Sequence, residues 1–377
     1  MNTTRGLVFF GFLAALASCS GDAETIVEPG SDPNDDTYPY PVGKVFFSHP
    51  PIGLEGVFFF ESMGALYTPF QEDHGGFFHD ELSGPAETTI PVIAPADGQV
   101  IMIRTHVSHN LPEEYAIGLK VSTTIDLLWG HAGRLSDRLA PEAPPLGSSR
   151  NVAIPVSAGE VIAWVGNTPL DLAVNDSERQ LKILHPEFYG PNPRAAPLED
   201  YFREPLRSQI RALTVREAEP RTGTYGYDVA GTLSGLWYLE GSDPRGPEFR
   251  PDVAFHFGYH HIQAHRATVF DGLAPAWSFW IKGNPRMEDI TPNSGLMKFE
   301  MYGSRWGVAG TMPDWTLADI SGLDDEVQNE SILLVEMLDD DTVRLERFDA
   351  PGTTGISVDD VTGFTANART YHRNPVG

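Results

Sequence analysis

Val92-Ile-Ala-Pro-Ala-Asp-Gly-Gln-Val-Ile-Met-Ile103 and Val156-Ser-Ala-Gly-Glu-Val-Ile-Ala-Trp-Val-Gly-Asn-Thr168 share one plan. Each runs a short apolar stretch into a tight turn, on Gly98 or Gly159, and out into a second apolar stretch rich in Val and Ile. That is the signature of strand, turn and strand. The same grammar extends outward through Val45-Phe-Phe47, Thr89-Ile-Pro-Val-Ile93, Tyr115-Ala-Ile-Gly-Leu-Lys-Val121 and Glu160-Val-Ile-Ala-Trp-Val165. An antiparallel β domain is therefore expected over 44–190. Over 195–218 the pattern changes: Leu198, Tyr201, Phe202, Leu206, Ile210 and Leu213 recur at near-helical spacing, Pro205 notwithstanding, so the linker 191–221 is expected to carry a short helix. Strands return in 222–377, at Gly231–Leu239, Val253–Phe257, Trp277–Ile281, Leu296–Tyr302, Ile332–Met337 and Val343–Phe348. The acidic turn Asp339-Asp340-Asp341 reads as the tip of a hairpin. The fold class is mainly β, with a C-terminal antiparallel sandwich or barrel.

Composition narrows the function. The chain has 377 residues, 26 Lys+Arg against 52 Asp+Glu and a formal charge of −26. Affinity for nucleic acid or an anionic lipid surface grows from neutralised phosphates, so such partners are excluded. A single cysteine rules out a disulfide framework and a Cys-based zinc knuckle, leaving packing, or packing with a His/Asp/Glu metal site, to hold the fold.

That cysteine also reads as an address. Residues 1–18 carry Arg5 followed by the apolar run Gly6–Ala17, too short to span a bilayer and matched to a signal-peptide core. Leu16-Ala17-Ser18-Cys19 resembles the lipobox of bacterial lipoproteins, which implies cleavage before Cys19 and its acylation. Residues 20–43 hold six acidic and no basic residues among Pro, Gly and Ser, the composition of a solvated tether. The expected organisation is a signal peptide over 1–18 and a tether over 19–43, anchored to the membrane through Cys19. Ser20 is not the Asp that retains enteric lipoproteins at the inner membrane, so the resemblance favours the outer membrane where the host has one.

The two strand-turn-strand units resemble the paired half-motifs of a barrel-sandwich, found in biotinyl and lipoyl carriers and in lysostaphin/LytM-type peptidoglycan endopeptidases. A carrier needs a lysine at a hairpin tip, and neither Ala96-Asp97-Gly98 nor Ser157-Ala158-Gly159 supplies one. The endopeptidase resemblance covers 44–180: Asp73-His74-Gly-Gly-Phe-Phe-His79-Asp80 precedes the first half-motif and Leu128-Trp-Gly-His131 lies between the halves. In that family a His-x-x-x-Asp pair and the second His of a His-x-His strand bind zinc, and a further His stabilises the oxyanion. The resemblance assigns that last role to His131. Counting from His74, the Asp position holds Phe78, with His79 and Asp80 displaced by one and two residues. Pro169-Leu170-Asp171 stands where the His-x-His strand is expected, placing Asp171 at a ligand position. A set of His74 or His79, Asp80 and Asp171 accepts zinc or another divalent cation, two carboxylates favouring a harder metal. His79-Asp80 also reads as a loop pair, and His131 as a strand-end histidine bonded to backbone. On a strand Asp171 faces away from Leu170 and Leu172, into a cleft or into solvent.

In the C-terminal half His256, His260, His261 and His265 crowd one stretch without an interposed carboxylate, which points to an aromatic strand surface rather than a metal site. Trp237, Tyr238, Trp277, Trp280, Trp306 and Trp315 read as core before sugar-stacking residues. Asp324-Asp325-Glu326 lacks the spacing of a calcium loop. Two functions follow from the resemblance: a membrane-anchored, non-catalytic module that binds peptidoglycan or an envelope partner, favoured by the absent His-x-His strand, and a metal-dependent peptidoglycan endopeptidase with an atypical His/Asp site, kept open by His131.

Overall fold

The computed structural model describes residues 38–66, 70–79, 90–107, 113–166, 168–188, 194–244, 253–272, 278–303, 329–349 and 358–375. Its first ten strands are β1 (Val57–Glu61), β2 (Gly75–His79), β3 (Ile90–Ile93), β4 (Gly98–His106), β5 (Glu114–Lys120), β6 (Ile125–Ala132), β7 (Arg134–Leu135), β8 (Ser149–Val156), β9 (Val161–Val165) and β10 (Leu170–Asp176). They form a seven-stranded sheet in the order β1-β2-β10-β6-β5-β4-β8 and a three-stranded sheet β3-β9-β7.

The two strand-turn-strand units pair with each other. β4 runs antiparallel to β8, with Val100 opposite Ile154, and β3 antiparallel to β9, with Val92 opposite Ala163. Their turns interlock: Ala158 N–H donates to Asp97 Oδ1 (2.8 Å), Gly159 N–H to Ala94 O (2.9 Å) and Ala94 N–H to Glu160 O (2.9 Å). Gly159 sits at φ +87, a conformation a side chain would strain. Period-two alternation sends Leu170, Leu172 and Val174 of β10 and Ile125, Leu127 and Trp129 of β6 into one core between the sheets.

The linker departs from a continuous helical pattern. A 3-10 turn covers Leu198–Tyr201, and the only α-helix among the described residues, α1 (Leu206–Ala212), begins directly after Pro205. Proline lacks an N–H and fits the start of a helix but not its interior. The amphipathic spacing is therefore cut in two.

The C-terminal strands β11 (Gly235–Leu239), β12 (Ala254–Tyr259), β13 (Ala267–Asp271), β14 (Ser278–Ile281), β15 (Met297–Gly303), β16 (Asn329–Met337), β17 (Thr342–Asp349) and β18 (Arg369–His372) close into an antiparallel barrel, each beside its neighbour in sequence and β18 returning to β11. The alternatives of sandwich and barrel thus resolve to a barrel. Asp339–Asp341 forms the β16–β17 turn, as the sequence predicts. Alternate residues, among them Trp237, Phe255, Phe257, Leu333, Val335 and Tyr371, fill the interior, as expected of eight strands, whose bore is about wide enough for side chains. Asp324-Asp325-Glu326, Trp277, Trp306 and Trp315 lie outside the described residues. Trp237, Tyr238 and Trp280 are buried.

Barrel and N-terminal sheets share apolar clusters. Met63, Phe70 and Phe188 pack with Leu236, Tyr238 and Ala254, and Phe59 and Phe78 pack with Ile262. Polar contacts reinforce the seam: His261 Nε2 lies 3.0 Å from Glu61 Oε1, Ser278 Oγ donates to Leu66 O, and Arg216 Nη1 donates to His261 O (2.5 Å). The crowded histidines belong to this seam, where His256, His260 and His261 are buried. Burial, with the neighbouring His261 and Arg266 charges, pushes His260 well below the usual histidine range.

Candidate functional site

The site grows around Asp171 on the face of β10 opposite its leucines. Both cross-strand neighbours of Asp171 are glycines, Gly76 on β2 and Gly130 on β6. A Cβ built on Gly76 would come within 3.2 Å of Asp171 Oδ1, and one on Gly130 within 3.3 Å of its Cβ. The pair of glycines gives the carboxylate room to turn along the sheet and meet imidazoles from either side.

Those imidazoles come from His74, just before β2, and His131, near the end of β6. His74 Nε2 lies 3.1 Å from Glu72 Oε2 and 3.4 Å from Asp171 Oδ2, and its Nδ1 lies 3.0 Å from Asp73 Oδ1. His131 Nε2 is 3.0 Å from Asp171 Oδ2 and its Nδ1 is 2.8 Å from Glu114 Oε2. Glu114, at the start of β5, stands directly opposite His106 at the end of β4, whose Nε2 is 3.3 Å from the same carboxylate oxygen. The result is a chain of alternating acid and imidazole, Glu72–His74–Asp171–His131–Glu114–His106, across five strands or their edges. Glu114 is fully buried and His131 nearly so, whereas His106 keeps a fifth of its side chain exposed.

His131 reaches this chain through its backbone. Strict alternation after Ile125, Leu127 and Trp129 would point it into the core. At φ +62 it is one of two non-glycine residues with positive φ among the described residues, and Ala132, not His131, rejoins the core. Left-handed backbone at a residue with a Cβ costs roughly 1–2 kcal/mol, a strain the surrounding contacts sustain.

Electrostatics follow the geometry. Burial opposes ionisation of Asp171, yet His131 and His74 outweigh it and hold the carboxyl well below the usual range. Burial likewise disfavours charge on His74, but Glu72 and Asp171 overcome it and raise the imidazole well above its usual value. Glu72 is itself raised, burial outweighing the attraction of His74.

Of the residues singled out from the sequence, His74, His131 and Asp171 come together. His79 does not: it lies on the opposite face of β2, shared with core residue Phe77, and its Nε2 is 3.1 Å from Thr168 O. The reason is register, since an odd step along a strand reverses the face. Asp80 and Cys19 lie outside the described residues. Phe78 shares the site face with Gly76 and Asp171 and packs between Phe59 and Ile262. Glu72, His106 and Glu114 are further members that sequence reading misses. The signal for His106 and Glu114 is slight, a histidine closing one strand and a glutamate opening the next.

A scan against protein-family models finds no match, and a search of curated proteins finds none. Several solved chains resemble this one, among them the following two. One is a mutant of the catalytic domain of the prophage-encoded M23 protein EnpA from Enterococcus faecalis, at 17% identity and a TM-score of 0.22, covering 35% of this chain and 86% of that one. The other is the solution structure of lysostaphin, at 12% identity and a TM-score of 0.22, covering 58% of this chain and 78% of that one.

Proposed function

We propose that the chain is a lipid-anchored protein of the bacterial cell envelope, outer membrane where the host has one, whose N-terminal β assembly is a lysostaphin-like module that binds peptidoglycan or an envelope partner without cleaving it. Phe78 carries this reading. It stands where the family resemblance asks for a metal-binding Asp, on the same face as Asp171, and it is buried against Phe59 and Ile262. A carboxylate there would face apolar neighbours, and the place is covered by a segment of the barrel half. Asp171, at the other expected ligand position, is held by two imidazoles. The paired half-motifs and the acidic tether after Cys19 support the envelope setting.

Two experiments test it. Sedimentation with purified peptidoglycan should carry down the full-length protein without releasing soluble fragments, and failure to sediment, with no envelope protein captured by cross-linking in cells, refutes the binding role. Fractionation with fatty-acid labelling should find wild type processed, labelled and in membranes, and Cys19→Ser unprocessed and unlabelled; identical processing and labelling of the two refutes the anchor. The second reading, a metal-dependent peptidoglycan endopeptidase, draws on the convergence of His74, His131 and Asp171, and it predicts soluble fragments that disappear in His131→Ala.

A further inference from the structure

We infer that His106, Glu114 and His131 form a binding site for one divalent cation of the zinc type, displaced along the sheet from the position that the family resemblance implies. The inference goes beyond the binding role and stands independently of it. One ligand atom from each of the three residues lies within 4.8 Å of the others. Two of the gaps are 3.3 Å between His106 Nε2 and Glu114 Oε2 and 2.8 Å between His131 Nδ1 and the same oxygen; the first matches, and the second falls about half an ångström short of, the roughly 3.3 Å between ligands that follows from tetrahedral zinc with bonds of about 2.0–2.1 Å. The third gap, between the two imidazoles, stays within 4.8 Å, and His106 is the most exposed of the three.

Donor chemistry agrees. Two imidazoles and one glutamate are a set that zinc uses with a fourth position left to water, and the exposed edge of His106 gives that position a route to solvent. The surroundings supply what a metal-bound imidazole needs. Asp171 Oδ2 lies 3.0 Å from His131 Nε2. A proton on Nε2 donated to that carboxylate leaves the Nδ1 lone pair aimed at the cation, the carboxylate–histidine–metal relay that orients ligands elsewhere. Asp171 is in turn seated by His74. Carboxylates Glu72, Asp73, Glu114 and Asp171 outnumber the three imidazoles, so the cluster attracts positive charge. Because the three ligands come from β4, β5 and β6, the ion ties three adjacent strands.

The test uses the full-length chain stripped of metal with chelator, then titrated calorimetrically with Zn2+ and, in parallel, with Co2+ read by visible absorption. One ion per chain with the intense bands of tetrahedral Co2+ is expected. His106→Ala and Glu114→Gln should abolish stoichiometric binding, Asp171→Asn should weaken it about 10–100-fold, and His74→Ala should keep one ion. Circular dichroism establishes folding of each variant, and His106→Ala, at the most exposed ligand, decides the matter if Glu114→Gln does not fold. No bound ion in the wild type overturns the inference, as does an ion that survives His106→Ala or is lost in His74→Ala. Peptidoglycan sedimentation of the stripped protein reports separately on the binding role.

Discussion

His131 concentrates the account into one residue, since its imidazole bridges two carboxylates only because its backbone is left-handed. Replacing it separates the two contributions. His131→Ala loses the imidazole and keeps the strained φ of +62, whereas His131→Gly loses the imidazole and relieves the strain. Glycine in a strand is ordinarily the worse residue by roughly 0.5–1 kcal/mol; here His131→Gly should be the more stable variant by about 1 kcal/mol, measured by urea denaturation. The His74–Asp171 pair sets a pH dependence. Asp171 is depressed in the folded chain, so its contribution is present above the ordinary value of 3.8 and is lost as pH falls through the folded value. His74 is raised, so its contribution is full below 6.5 and is lost as pH rises through the folded value. Stability from this pair should be greatest between those limits, and in His74→Gln with Asp171→Asn the loss on either side should flatten, as thermal melts across pH would show.

At the scale of elements, register decides which residues meet. The half-motifs were legible because alternating apolar residues around a turn glycine mark strands locally, and the pairing of β3 with β9 and β4 with β8 joins one unit to the other. Asp171 was legible as facing away from Leu170 and Leu172 for the same reason. The partnership of His106 with Glu114 was not, because it depends on which residues two strands place opposite each other across a connection. Nor was the turn of His131, which breaks the alternation that reading relies on. His79 illustrates the reverse: one residue from Phe78, it belongs to the other face. Phe78→Asp, which would supply the residue type the proposed resemblance asks for, should therefore complete no site. A carboxylate among Phe59 and Ile262 should destabilise the fold by about 3 kcal/mol or more, with no gain of zinc on calorimetric titration.

The described residues form two β assemblies joined by an apolar seam, and that seam was invisible in the sequence because Ile262 is far from Phe59 and Phe78 along the chain. Ile262→Asp, at a buried position of the seam, should expose Phe78 and uncouple the assemblies. Calorimetry should then split one unfolding transition into two, and limited proteolysis should cut within 191–221. A single transition unchanged in midpoint would show that the seam contributes little. The central claim is that an N-terminal module of lysostaphin-like plan binds the envelope without cutting it. Its most direct test is incubation of the full-length protein, stripped and Zn2+-loaded, with cross-linked peptidoglycan, followed by counting newly released amino groups beside the amount of protein sedimented. The account predicts protein in the pellet and no new amines in either state. Amines that appear with Zn2+ and vanish in His131→Ala would contradict it.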